Sequence, residues 1–155
     1  MPLLWSAILL LLASFAELTT ATYCQALLPF FLLTTFYLNV SAPRALPCLA
    51  GAVLLDLAFA RTFPVTFLPA IAAILTAWLW KRSGHLKNPL LQTLPALLLS
   101  ALSALSLILY AGEFSRRILL SQLAAALLFP LLLLVLDAFA SRGRLPRYQN
   151  AHERK

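Results

Sequence analysis

The stretch GAVLLDLAFAR, residues Gly51 to Arg61, places one carboxylate, Asp56, in a run otherwise made of Ala, Val, Leu and Phe. In water such a run reads as a buried core helix with a misplaced acid. In hydrocarbon it reads as a polar group inserted at a cost of a few kcal/mol, which has to face other protein or a wet cavity. The reading of Asp56 therefore depends on the solvent around the chain, and the composition decides that.

Of the 155 residues, 62% are hydrophobic and 11% charged, with a mean hydropathy of +0.89. Soluble domains run at about 45–50% apolar and about 25% charged. Too little polar surface is available here to cover a water-soluble domain. The charges also sit in short clusters between apolar stretches, as loops between membrane spans would require.

The net charge of +7 raises the question of nucleic acid. Its basic residues lie at span ends and in the C-terminal segment, with no aromatic platform interleaved and no basic helix face. Membrane topology and anionic headgroups account for them, and nucleic-acid binding is not expected. The two cysteines, Cys24 and Cys48, form no CxxC motif, and His85 and His152 lack partners at metal-ligand spacing. The expectation is no metal site and no cofactor.

A hydrocarbon layer of about 30 Å takes about 20 helical residues to cross. On that measure the apolar stretches divide into six spans, about 2–16, 24–40, 45–60, 64–80, 89–111 and 118–140, with a basic tail at 141–155. The expected fold class is all-α, a polytopic bundle of six transmembrane helices. With both termini cytoplasmic, nine basic residues fall inside (Arg44, Lys81, Arg82, Lys87, Arg142, Arg144, Arg147, Arg154 and Lys155). Three fall outside (Arg61, Arg116 and Arg117). That bias orients the bundle. The alternative at the N-terminus is a signal peptide, LLWSAILLLLASFA with cleavage before Glu17. Without a basic residue ahead of it, and with a poorer charge balance after removal, retention is expected.

Asp56 then lies in the outer half of the third span, within reach of Arg61 or Arg116. It is either a ligand or partner contact or a structural acid holding the span against a neighbour. Asp137, in VLDAFASRGR, is expected to pair at a helix end with Arg142 or Lys81, and Glu17 and Glu113 read as loop-edge residues. Ala96, Ser100 and Ser103 recur at i, i+4 and i+7 in the fifth span, and Ala73 and Ala77 share that spacing in the fourth. Strips of small residues let helix backbones approach closely where lipid removes the hydrophobic drive. On this reading Leu at Ser100 or Ala96 disturbs packing more than Ala at Leu99. Pro69, Pro95 and Pro130 fall inside spans and invite kinks.

No GxGD flanks either aspartate, no nucleophile motif accompanies a membrane histidine, and no glycine-rich phosphate loop is present. The two halves do not repeat one another. An enzyme is not expected.

Pro29 opens PFFLLTTFYL, Arg44 supplies a basic turn, and Gly51 and Asp56 stand in GAVLLDL, ahead of the turn at FARTFPVTFL. In this order, and in its six-span layout, the chain resembles the MreD family of bacterial rod shape-determining membrane proteins. It departs from the family pattern where turn glycines are replaced by Ala60 and Pro64, and span glycines by Cys48 and Ala52. The resemblance implies a non-catalytic, multi-pass scaffold of the cytoplasmic (inner) membrane, within the peptidoglycan-synthesising cell-elongation complex. It implies as partners an MreC-like single-span protein, the RodA glycosyltransferase with its transpeptidase, MreB filaments, and membrane lipid. The alternative of similar size and span count is the solute-binding component of an energy-coupling-factor transporter. Against it, SAILLLLASFA contains no alanine pair four apart, and the outer loops are short.

Overall fold

The computed structural model describes residues 2–24, 28–60, 64–83, 91, 93–111 and 116–142. Among them the chain is all-helical, without a strand. The helices are α1 (Pro2–Cys24), α2 (Phe30–Ser41), α3 (Ala45–Ala58), α4 (Phe67–Ser83), α5 (Thr93–Ser106) and α6 (Arg116–Arg142). A π-helical turn, Leu107–Ala111, extends α5.

Helix starts follow the prolines. Pro47, Pro69 and Pro95 are each the third residue of their helix. A first-turn N–H has no intrahelical partner, so proline loses nothing there. Pro69 and Pro95, expected to kink their spans, therefore open helices instead; Pro130 alone of the three lies inside one. At the other end of α2, Ala42 takes an extended conformation (φ −159°, ψ 140°). The following Pro43 disfavours the helical region for it, which stops the helix.

α1 runs past the expected stop at Ala16 to Cys24. The polar segment ELTTAT stays helical because its hydroxyls are satisfied within the helix: Thr20 Oγ1 donates to the Ala16 carbonyl (2.9 Å) and Thr22 Oγ1 to that of Leu18 (2.9 Å). α2 is shorter than expected, 12 residues rather than a span from Cys24, since Pro29 precedes its first turn. At about 1.5 Å per residue it rises about 18 Å. α3, with 14 residues, rises about 21 Å.

α2 is the axis of the fold. Every residue from Phe31 to Ser41 is buried. It packs mainly against α4 and α1 and also touches α3, α5 and α6, while α5 lies along α6. Phe36 meets Phe129 of α6 edge to face at 5.9 Å. Ala70, Ala73 and Ala77 of α4 are completely buried, as is Ala96 of α5, with Ser100 and Ser103 nearly so. Leu99, expected outside the packed strip, is itself at 0% exposure, so truncating it opens a cavity and is no mild control.

Around an apolar core, polar groups are buried and large apolar side chains are exposed. Ser6, Glu17, Thr34, Asn39, Asp56 and Gln122 are buried, whereas Leu3, Leu11, Phe15, Leu120, Leu127, Leu131 and Leu134 each expose 60% or more. α1 over Leu3–Tyr23 and α6 over Arg116–Phe139 are long and apolar enough to cross a membrane. Only 28% of either apolar window is buried, which separates both from the core helix of a soluble protein.

Candidate functional site

Two buried carboxylates organise one end of the bundle. Asp56 sits in the last turn of α3, where the helix dipole disfavours an acid. Its side chain reaches across the turn to the start of α4. The Thr66 N–H, immediately before that helix, donates to Oδ1 at 2.8 Å and to Oδ2 at 3.1 Å. There the orphan amide and the positive end of the dipole both favour a negative charge. Asp56 is 2% exposed, and among the described residues it makes no ion pair. Of the basic partners expected for it, Arg116 begins α6 as an exposed residue, and Arg61 lies outside the described residues.

Glu17 does the same for α2. Buried in α1 rather than at a loop edge, its Oε2 accepts the Phe31 N–H in the first turn of α2 at 3.2 Å. Glu113 lies outside the described residues. The Glu17 side chain and Thr66 border one small cavity of about 10 Å³, closed by Ser103 and Ser106 of α5. That is about the room of a single water. One acid, Glu17, two serines and Thr66, whose N–H is held by Asp56, thus meet at this cavity. The signal for Glu17 is its place in a segment whose threonines can bond their own helix.

The far end carries a second polar set. Tyr37 Oη donates to Asp137 Oδ1 at 2.8 Å, tying α2 to α6. Asp137 thus meets a phenol from the central helix, a partner not expected from its neighbours in sequence. Asn39 donates through Nδ2 to the Thr35 carbonyl (2.9 Å) and the Cys48 Sγ (3.5 Å), and its Oδ1 accepts the Arg44 N–H at 3.0 Å. Arg44 Nη1 in turn donates to Ser6 Oγ of α1. Partial burial lowers the Arg44 guanidinium from its ordinary pKa, but such a group remains charged. Asn39 was not singled out from the sequence; an amide inside an apolar run is the signal that points to it.

Beside this network an open groove of about 690 Å³ lies between the start of α3 and the last turns of α4. Asn39, Pro43, Ala45, Trp78, Lys81 and Arg82 line it, with the Arg82 guanidinium stacked 4.8 Å over the Trp78 ring. Among the described residues no three His, Cys, Asp or Glu side chains converge.

Chemically, the buried acids Asp56 and Glu17 accept backbone amides and hold helices in register, while the groove sets the charges of Lys81 and Arg82 beside an open volume. Comparison with protein-family models, with curated proteins and with solved structures returned no match.

Proposed function

We propose that this chain is a six-span integral protein of the bacterial cytoplasmic membrane, with both termini inside, that acts as a non-catalytic scaffold for partner transmembrane helices. The observation that carries the reading is the broad outward leucine surface of α1 and α6 combined with buried carboxylates, hydroxyls and amides. In hydrocarbon each backbone polar group has to be satisfied within the protein. The short α2 meets that demand because it is surrounded by other helices, and its unwound flanks are served by side chains. Glu17 takes the Phe31 N–H at one end, and Asn39 takes the Arg44 N–H at the other.

The resemblance of PFFLLTTFYL and GAVLLDL to the MreD pattern is the ground for assigning the scaffold to the cell-elongation complex, beside an MreC-like protein, RodA with its transpeptidase, and MreB. A structural role for Asp56 suits such a scaffold, since the acid holds a turn and is closed to solutes. The exposed faces of α1 and α6 are the surfaces offered to partner helices.

The test is co-purification from detergent with an MreC-like single-span protein and with RodA, together with reporter fusions after Lys155. Recovery of both partners, a cytoplasmic reporter signal, and rounding of rod-shaped cells on depletion are expected. Capture of an ATPase pair instead would favour the transporter component.

A further inference from the structure

We propose that the groove between the start of α3 and the last turns of α4 binds the phosphate headgroup of an anionic phospholipid; the proposal rests on the membrane reading above. Ile74, Trp78 and Arg82 recur every four residues and share one face of α4, with Lys81 alongside. Two cations in the last turn of α4 offset its dipole without any ligand. That role does not account for the open volume in front of them, nor for the opposite wall.

The opposite wall is the first turn of α3, where Arg44 at the N-cap makes no side-chain cap. The amides of Ala45 and Leu46 begin the helix there, and the third residue, Pro47, has no N–H. An anion in the groove therefore meets a helix start on one side and Lys81 and Arg82 on the other. Among the described residues no acidic side chain lines the groove. The Arg82 guanidinium is already held over the Trp78 ring, which restricts its rotamers before the ligand arrives.

The flanks point to a lipid rather than a free anion. Leu46, next to Ala45, is 81% exposed, and Leu75 and Leu79 stand exposed beside Ile74 and Trp78. An acyl chain would run along these leucines once its phosphate is seated. Trp78, exposed and amphipathic, sits where headgroup meets chain.

The experiment uses the full chain with Trp5→Phe and Trp80→Phe, so that Trp78 alone fluoresces, reconstituted in phosphatidylcholine–phosphatidylglycerol vesicles. Bromine is carried either on the phosphatidylglycerol or on an equal fraction of the phosphatidylcholine, at constant surface charge. Brominated phosphatidylglycerol should quench Trp78 preferentially. The preference should fall about fivefold for each cation removed by Lys81→Gln or Arg82→Gln, and should largely survive Arg82→Lys. Lipid extraction from the detergent-purified wild-type chain should show phosphatidylglycerol enriched over the host membrane, which checks the result without the tryptophan substitutions.

Equal quenching by the two brominated lipids, with the chain floating with the vesicles, overturns this proposal alone. Displacement of the preference by soluble glycerol phosphate overturns the lipid assignment in favour of a free phosphate. Failure to float with vesicles overturns the membrane reading, and this proposal with it.

Discussion

Asp56 accepts the Thr66 N–H through both carboxylate oxygens, and that contact joins the end of α3 to the start of α4. The acid in GAVLLDLAFAR is thus a helix cap contributed from the preceding helix. Asp56→Asn keeps one acceptor and should cost about 1 kcal/mol or less. Asp56→Leu leaves the buried Thr66 amide unpaired and should cost about 1–3 kcal/mol. Thermal unfolding of the detergent-purified variants measures both. A leucine variant as stable as wild type would remove the capping role.

Glu17 holds the central helix in the same way, so Glu17→Leu should destabilise by about 1–3 kcal/mol, because the Phe31 amide is buried. Exchange of the amide hydrogens at the start of α2 reads this locally. Faster exchange there, ahead of the rest of the helix, is the expected pattern.

Ala60 adopts φ +50° at the position after Phe59, the C-cap of α3, where glycine is usual. An L-residue in that region is strained by about 1–2 kcal/mol. Ala60→Gly should relieve the strain and raise the midpoint of thermal unfolding, less the entropy that glycine adds to the unfolded chain. A lower midpoint would show that the Ala60 methyl contributes packing that outweighs its strain.

Close approach of helices makes a fourth prediction. A Cβ on Gly51 would lie 3.0 Å from the fully buried ring of Phe31, which then has to shift by a few tenths of an ångström. Gly51→Ala, Ala73→Leu and Ala96→Leu should each destabilise by about 1–3 kcal/mol through overpacking. Leu99→Ala should cost about 2–5 kcal/mol through the cavity it leaves. Ser100 separates size from polarity: its Oγ is buried without a hydrogen-bond partner, so Ser100→Ala should be neutral or stabilising, while Ser100→Leu destabilises. Urea or thermal titration of the series orders them.

The Tyr37–Asp137 bond spans 100 residues of sequence and ties α2 to α6. Tyr37→Phe removes the donor alone and should cost about 1–3 kcal/mol, as for a hydrogen bond to a charged or polar acceptor. Differential scanning calorimetry measures it, and no change in midpoint would show the bond to be worth nothing net.

The helical class and the outward leucines were legible in the sequence because they depend on local composition. The helix starts at Pro47, Pro69 and Pro95 have an equally local cause, since each proline stands in a first turn where its missing N–H leaves no bond unmade. What each polar group bonds to was not legible. Asp56 and Thr66 are ten residues apart, Glu17 and Phe31 fourteen, Tyr37 and Asp137 a hundred. Nothing in their immediate neighbours distinguishes one partner from another.

By itself the sequence determined that apolar helices would form and that the two acids inside its spans, Asp56 and Asp137, needed partners, since hydrophobic content acts over a handful of residues. The tertiary structure alone decided which helix is surrounded, that α1 continues through Glu17 to Cys24, and that the acids cap their neighbours' backbones. The physical reason is that an unpaired amide has no preferred acid until packing brings one within about 3 Å and excludes everything else.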